Sequence, residues 1–304
     1  MTTRPNGAMT GAMQARAPAL RRLADYFILT KPGISTMVML STLTGFVVGH
    51  SGRLNAALLV WTVLGTGLVS AGAATMNMLW ERREDGLMTR TKRRPLPAGR
   101  VSSAEAFAVG LLCGCLGLVM LSMRVNPSAS LLAALSFLLY VFIYTPLKKV
   151  SRISVLVGAV CGAIPPLVGS AAAGPHLVVE SWALFSAMLL WQLPHVAAIH
   201  FLQQKEFERA GFVRFTNDSS SRLYLVLCAV LPAGLLAFCG IVPAVMGAAG
   251  PVLAFGAVFL AAFVARSASR FVREKTMPAA RRLFFATLIY LPSFFGIMMV
   301  DYLL

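Results

Sequence analysis

Nine apolar runs, each close to the ~20 residues that a helix needs to cross a bilayer, constrain this fold more than any other feature. We place them at residues 32–50, 55–78, 105–123, 128–147, 153–173, 180–202, 222–242, 250–266 and 282–303. Only 12% of the 304 residues are charged, whereas soluble domains carry about 25%. The pattern predicts an all-α polytopic membrane protein, a bundle of nine transmembrane helices.

Positive charge is distributed unevenly between the two ends of these runs. Of the 27 Lys and Arg residues, all but Arg53 and Arg124 lie in the N-terminal segment or around the connections after every second run. Under the positive-inside rule this predicts a cytoplasmic N-terminus and an outer C-terminus. The same rule accounts for the net charge of +16, so we expect no binding of nucleic acid.

The N-terminal segment differs in composition from the remainder. It carries several Arg residues and no acid before Asp25, and it lacks the apolar core of a signal peptide. We expect residues 1–25 to be a disordered basic cytoplasmic tail and residues 26–304 to be the membrane domain. A short tail favours the bacterial inner membrane over the mitochondrial inner membrane, although an Arg-rich, acid-poor tail also fits a short transit peptide.

Two further residue types bear on the helices. Pro165–Pro166, Pro194 and Pro232 lie inside apolar runs and are expected to kink or break them. The five cysteines all lie in apolar runs without metal-ligand or disulfide spacing, which is typical of small core residues.

One motif at the end of the second run has the spacing of a cation site. Asn77, Glu81 and Asp85 recur every four residues, so a helix would place them on one face. Two carboxylates and an amide oxygen suit Mg²⁺, which takes few protein ligands and bridges to substrate phosphates. The basic residues that follow would neutralise phosphate oxygens. The alternative is an ordinary charged loop at a membrane edge.

Two other polar groups lie near the same predicted face. Tyr144 and Lys148 are four residues apart at the end of the fourth run, followed by Lys149, and positive-inside charge beside an interfacial tyrosine explains them equally well. Near the end of the sixth run, Trp191 and His195 form the second group, with the pair Lys205–Glu206 beyond it. Intramembrane polar residues are candidates for function, but a single histidine can also be a packing residue.

Six segments of the chain resemble one family. The stretch from Asn77 to Arg100 is similar to the signature of the UbiA-type intramembrane prenyltransferases, Asn-x₃-Asp-x₃-Asp, and more narrowly to the protohaem IX farnesyltransferases, which continue as DxxMxRTxxRPL. Further similarity to the narrower family extends over about residues 26–303. It lies in LTKP (29–32), YTPLKK (144–149), GAIPPLVG (162–169), WQLPH (191–195) and ARRLF (280–284).

The resemblance implies transfer of a farnesyl group from farnesyl diphosphate to a vinyl group of haem B, in the lipid bilayer. It implies Mg²⁺ as the cofactor, held by Asn77, Glu81 and Asp85. It further implies that these three residues are catalytic together with Lys148 and Tyr144. Substrate contacts are expected from Arg90, Arg94, Lys149, Trp191, His195, Lys205 and Glu206, with His195 at the haem iron or a propionate. A haem A synthase or a terminal oxidase assembly would be the partner that takes the product.

The sequence departs from the family pattern at three positions. Glu81 stands where an Asp is usual, which keeps the carboxylate and lengthens its reach by one methylene. Val196 replaces a Phe, and Phe207 replaces a Tyr, so any role of that hydroxyl is lost.

The sequence leaves two alternative functions to consider. A related prenyltransferase could act on an aromatic acid or a quinone precursor. A transporter or channel would belong to another class, but such proteins bind ions near mid-bilayer, whereas these acids lie at one edge.

Overall fold

The computed structural model describes residues 20–50, 52–213 and 221–303, and within these ranges every regular element is helical. Nine of the described helices are long and apolar enough to cross a membrane, as predicted. They are α1 (Pro32–Gly49), α2 (Ala56–Trp80), α3 (Ser103–Arg124), α4 (Pro127–Leu147), α5 (Ser154–Ala173), α6 (Val179–Leu202), α7 (Arg222–Val245), α8 (Pro251–Glu274) and α9 (Met277–Tyr302).

The largest difference from the predicted boundaries lies between the last two helices. The charged stretch 266–282 was expected to be a loop, but α8 continues to Glu274 and α9 begins at Met277. Hydropathy marks only the part of a helix that lipid surrounds. Charged residues one or two turns further on favour helix through pairs such as Arg270–Glu274, whose charged atoms lie 2.5 Å apart.

The prolines have different effects on the helices. At Pro165–Pro166 the helix is interrupted, because segments Ser154–Ala163 and Pro165–Ala173 are separated at Ile164. Near Pro232, α7 contains a π-helical stretch, Val226–Val230, before the proline. Pro194 lies inside the continuous helix α6, so it does not break that helix.

A helix over 20–29 precedes α1 and packs on the connection between α2 and α3. Arg100 donates to both carboxylate oxygens of Asp25, and Tyr26 donates to Glu105 at 3.0 Å. Glu105 also forms the capping box of α3 with Ser102. The helix crosses the expected domain boundary at residue 25, and residues 1–19 lie outside the described ranges.

Two groups of helices form the interior. In the first, α1 and α5 approach closely enough that a Cβ on Gly45 would lie 2.0 Å from the carbonyl oxygen of Pro166, which only glycine allows. Small residues permit this kind of contact between membrane helices. The second group, α6 to α9, packs around fully buried rings, among them Phe271, Tyr290 and Phe294.

The outer surface of the bundle is apolar. Large side chains such as Leu112, Leu131, Phe255 and Phe285 are exposed, as expected for a face that contacts lipid. The polar side chains gather where α2, α4 and α6 end, and this end of the bundle carries the candidate site.

Candidate active site

A cavity of about 450 Å³ opens among α1, α2, α4, α5 and α6. Its depth is mainly apolar, with walls that include Val38, Val69, Phe137 and Val168. Its other end is ionic. The charged side chains of the described lining are Lys31, Glu81, Asp85, Arg90, Arg94 and Lys148, a formal net charge of +2 from four cations and two anions. The cavity therefore suits a molecule with an anionic head and an apolar body.

The predicted triad of Asn77, Glu81 and Asp85 forms one wall of the ionic end. Although α2 ends at Trp80, the backbone bonds Glu81 N to Asn77 O (3.0 Å) and Asp85 N to Glu81 O (2.8 Å) keep helical spacing across the junction with the short helix Arg82–Leu87. The three residues are only 1–4% exposed. The expectation that they share one face is confirmed.

Each member of this triad is paired with a different cation. Lys31 Nζ donates to Asn77 Oδ1 at 2.5 Å, and Arg94 Nη1 binds both oxygens of Asp85 at 2.8 and 3.0 Å. Lys148 forms an ion pair with Glu81. Because each residue of the buried triad has its own basic partner, the arrangement holds the three cations together at one place.

Lys31 was not among the predicted site residues. Lys31 precedes α1 and has a left-handed backbone conformation (φ 47°), which is uncommon for residues other than glycine. Such conformations concentrate at functional sites. Burial lowers the pKa of Lys31 to about 8, against the opposing effect of Glu81. The sequence signal that could have identified Lys31 is its position in the LTKP motif, directly before the proline that begins α1.

Tyr144 and Lys148 both line the cavity, and their catalytic role stays a prediction. Burial acts to lower the pKa of Lys148, but Tyr144 and Glu81 outweigh it and the pKa is raised. The ammonium lies 5.5 Å from the ring centre of Tyr144 and 5.0 Å from that of Phe212. Tyr144 also stacks on Tyr140 in a π-helical stretch, with ring centres 5.2 Å apart.

The rim of the cavity joins two connections. On one side is the loop after α2, with Met88 and Thr89, and on the other the short helix Gln204–Arg209. Glu206 accepts a hydrogen bond from Thr89 N at 2.5 Å and pairs with Arg209 at 3.0 Å. These bonds lower the pKa of Glu206 despite the opposing effect of burial. Glu206 is therefore joined to the loop that carries Arg90.

The remaining predicted contact residues do not line the cavity in the described structure. Lys149 pairs with Glu84 at 2.6 Å, and Lys205 is exposed. Trp191 and His195 face α9, where Trp191 Nε1 donates to Thr287 O and His195 Nδ1 bonds Thr287 Oγ1 at 2.8 Å. The haem contact expected of His195 stays a prediction.

The face of α6 that lines the cavity carries Gln192, Val196, Ile199 and His200 instead. These four residues are spaced so that they share one face of the helix, whereas Trp191 and His195 lie on a neighbouring face. The period of α6 was readable from the sequence, but which face turns inward was not, because both faces carry polar and aromatic residues.

The donor set of the triad fits Mg²⁺ in chemistry and number. Among the described residues no group of three or more His, Cys, Asp or Glu side chains is placed to share an ion. Two carboxylates and one amide oxygen, next to cations that bind phosphate, instead match a metal that takes few protein ligands and completes its shell with waters and phosphate.

The apolar cavity is enclosed in a membrane bundle, and its ionic end combines two carboxylates and an amide with a ring of cations. These features define an intramembrane enzyme that acts on an anionic group carried by an apolar chain. A model of the UbiA prenyltransferase family matches residues 38–290, and the chain belongs to that family.

Individual relatives agree with this assignment. A curated protoheme IX farnesyltransferase of Salinibacter ruber is 37% identical, and the match covers 93% of this chain and all of the relative. Another of that name, from Solibacter usitatus, is 33% identical over 92% of this chain and 99% of its own. A UbiA homologue from Archaeoglobus fulgidus, solved with GPP and Mg²⁺, shares the fold at a TM-score of 0.67 and 16% identity, covering 90% of this chain and 99% of its own.

Proposed function

We propose that this protein transfers the farnesyl group of farnesyl diphosphate to a vinyl group of haem B and so forms haem O. The observation that carries the proposal is the ionic end of the cavity, where Lys31, Arg94 and Lys148 converge on the triad beside an apolar depth. The curated relatives named protoheme IX farnesyltransferase, matched over nearly their full length, support haem B as the acceptor.

We infer that Asn77, Glu81 and Asp85 hold Mg²⁺ in the working enzyme. When bound, the metal supplies positive charge that stabilises the departing diphosphate. A solved family member contains Mg²⁺ together with a prenyl diphosphate, which supports this inference.

The cations of the cavity have two roles in this account. Before substrate binds, Lys31, Arg94 and Lys148 satisfy the buried triad. When the diphosphate enters, the same side chains would turn to its oxygens, and Asn77, Glu81 and Asp85 would then be able to hold Mg²⁺. Stabilising the leaving group in this way lowers the barrier to ionisation, because the donors are already in place when charge develops.

In this proposal the reaction is an electrophilic addition to the vinyl group. The bond between farnesyl C1 and oxygen breaks, and the diphosphate leaves with the electron pair. The vinyl π electrons of haem B form the new carbon–carbon bond to C1. The cation that remains beside the porphyrin takes up water and loses a proton, which gives the hydroxyethylfarnesyl group.

Aromatic rings shield the allylic cation in this scheme. Tyr140 and Tyr144 line the cavity together with the triad, and Phe137 lies in its apolar depth. Their π faces stabilise positive charge without offering a strong nucleophile. The apolar wall beyond them keeps water from the farnesyl chain.

For the membrane, we propose a bacterial inner membrane with the N-terminus and the active-site loops in the cytoplasm. The uneven distribution of Lys and Arg supports this orientation. A haem A synthase or a terminal oxidase assembly would then receive the product.

The test compares acceptors directly. Purified protein in detergent, with Mg²⁺ and farnesyl diphosphate, is offered haem B or 4-hydroxybenzoate, and products are identified by mass. We expect farnesyl addition to haem B alone. Prenylation of 4-hydroxybenzoate with haem B left unchanged would overturn the proposal in favour of the aromatic-acid enzyme. Geranyl and geranylgeranyl diphosphates in parallel reactions define the chain length.

A further inference from the structure

The cavity-lining face of α6 brings one imidazole, that of His200, into the described wall of the cavity. His200 follows Val196 by four residues and Gln192 by eight, so the three side chains lie in one row along the helix. The row leads from the apolar depth towards the end of α6 at Leu202, beside the rim. His200 is therefore placed between the apolar depth and the rim of the cavity.

Neighbouring aromatic rings orient the His200 imidazole. It stacks on Phe207 with ring centres 4.5 Å apart and an interplanar angle of 23°. Phe207 in turn meets the edge of Phe212 at 5.8 Å and packs in a small cluster with Met88 and Ala210. A ring held on one face by a packed phenylalanine presents its edge, and hence its nitrogens, in a restricted set of directions.

His195 makes a different set of contacts. Thr287 Oγ1 donates to Phe284 O at 2.6 Å, so in the 2.8 Å bond between Thr287 and His195 it is Nδ1 of the histidine that donates. The ring also stacks between Trp191 and Phe284, with ring centres 4.8 and 5.1 Å away. These contacts join α6 to α9 and give His195 a packing role.

We infer that His200 binds the iron of the haem substrate as an axial ligand, an inference that rests on the proposed function. A neutral imidazole donates a nitrogen lone pair to haem iron, as proximal histidines do. The bond is a coordinate one, and no electron or proton is transferred in forming it.

Ligation at this position would orient the porphyrin towards the reacting group. His200 and Lys148 line the same cavity, and Lys148 pairs with Glu81 of the triad. A haem held by its iron at His200 thus has an edge next to the place where the diphosphate leaves. The same bond would favour haem over metal-free protoporphyrin IX and over aromatic acids, which offer no iron.

The test is spectroscopic. Haem B is titrated into purified full-length protein, and axial ligation is followed by absorption and electron paramagnetic resonance. We expect an imidazole-ligated spectrum for the unaltered protein and for His195→Ala. We expect its loss in His200→Ala, with recovery on adding free imidazole and with unchanged binding of farnesyl diphosphate as the control for folding.

Each other outcome overturns the inference. A His200→Ala spectrum like that of the unaltered protein means that the iron ligand is another group. Loss of the imidazole signature in His195→Ala instead assigns ligation to His195, the residue that the sequence predicts at the haem. If haem O is made without any imidazole signature, His200 is not a ligand and the proposed function stands. If haem B neither binds nor reacts, the proposed function itself fails.

Discussion

Arg94 and Asp85, nine residues apart in the chain, are joined by one guanidinium nitrogen that lies within 3.0 Å of both carboxylate oxygens. The pair connects the triad of Asn77, Glu81 and Asp85 to the arginine-rich loop after α2. Asp85 is almost fully buried, so its charge would be costly without this partner. The proposed mechanism requires Arg94 to exchange this carboxylate for diphosphate oxygens.

Asp85→Asn tests the role of that carboxylate. The change keeps the size of the side chain and removes one charge, so we expect a folded protein whose Mg²⁺ affinity falls by about ten- to a hundredfold or more. Turnover should fall further, because each ~1.4 kcal/mol lost in the transition state costs tenfold. Raising Mg²⁺ should restore part of the binding and little of the rate. The assay is farnesyl transfer across a Mg²⁺ titration, with a thermal melt for folding.

Glu84→Gln is the matched control for that change. Glu84 is the neighbouring residue and also has a basic partner, Lys149, but it does not line the cavity in the described structure. We expect it to keep the Mg²⁺ dependence of the unaltered protein. A folded Asp85→Asn protein with unchanged turnover would show that this carboxylate has no part in catalysis.

Glu81→Asp restores the residue usual in the family. The carboxylate is kept and its reach shortens by one methylene, so substantial activity should remain with at most a modest shift in Mg²⁺ requirement. Glu81→Gln, which removes the charge, should lose most of its activity. Equal activity of the two variants would argue against a metal ligand at this position.

Adjacent lysines give a sharp comparison of phosphate binding. Lys148 lines the cavity and pairs with Glu81, whereas Lys149 pairs with Glu84 outside it. Lys148→Met should lower kcat by at least about tenfold, because a hydrogen bond to a charged group is worth about 1.5–3 kcal/mol. Lys149→Met should change it little, in contrast to the substrate contact expected from the sequence. A larger loss for Lys149→Met would place the diphosphate elsewhere.

Reporter fusions test the orientation in the membrane. Fusions after Arg94, Lys149 and Lys275 should all report the cytoplasm, and a fusion at Leu304 should report the outer side, as nine spans with a cytoplasmic N-terminus require. Arg214, which belongs to the same set in the sequence, lies outside the described residues. A cytoplasmic C-terminus would contradict this topology.

The nine helices and the triad could be predicted because their signals are local. A bilayer imposes a length on each apolar run, and a four-residue spacing places Asn77, Glu81 and Asp85 on one face whatever surrounds them. The spacing with Lys148 also indicated Tyr144, and the resemblance added Arg90 and Arg94. All three line the cavity.

What could not be predicted depends on tertiary packing. The sequence predicts that both Lys148 and Lys149 act at the site. The structure separates them, because Lys148 pairs with Glu81 and Lys149 pairs with Glu84. Likewise, α6 carries a histidine on each of two faces, and the contact of His195 with Thr287, 92 residues away, decides which face turns from the cavity.

Haem extraction from cells tests the central claim most directly. A host that lacks haem O synthesis is supplied with this chain or with its Asp85→Asn variant, and the extracted haems are analysed by mass. The account predicts haem O with the unaltered chain and little or none with the variant. Cells that express the folded, membrane-inserted chain and still contain only haem B would contradict it.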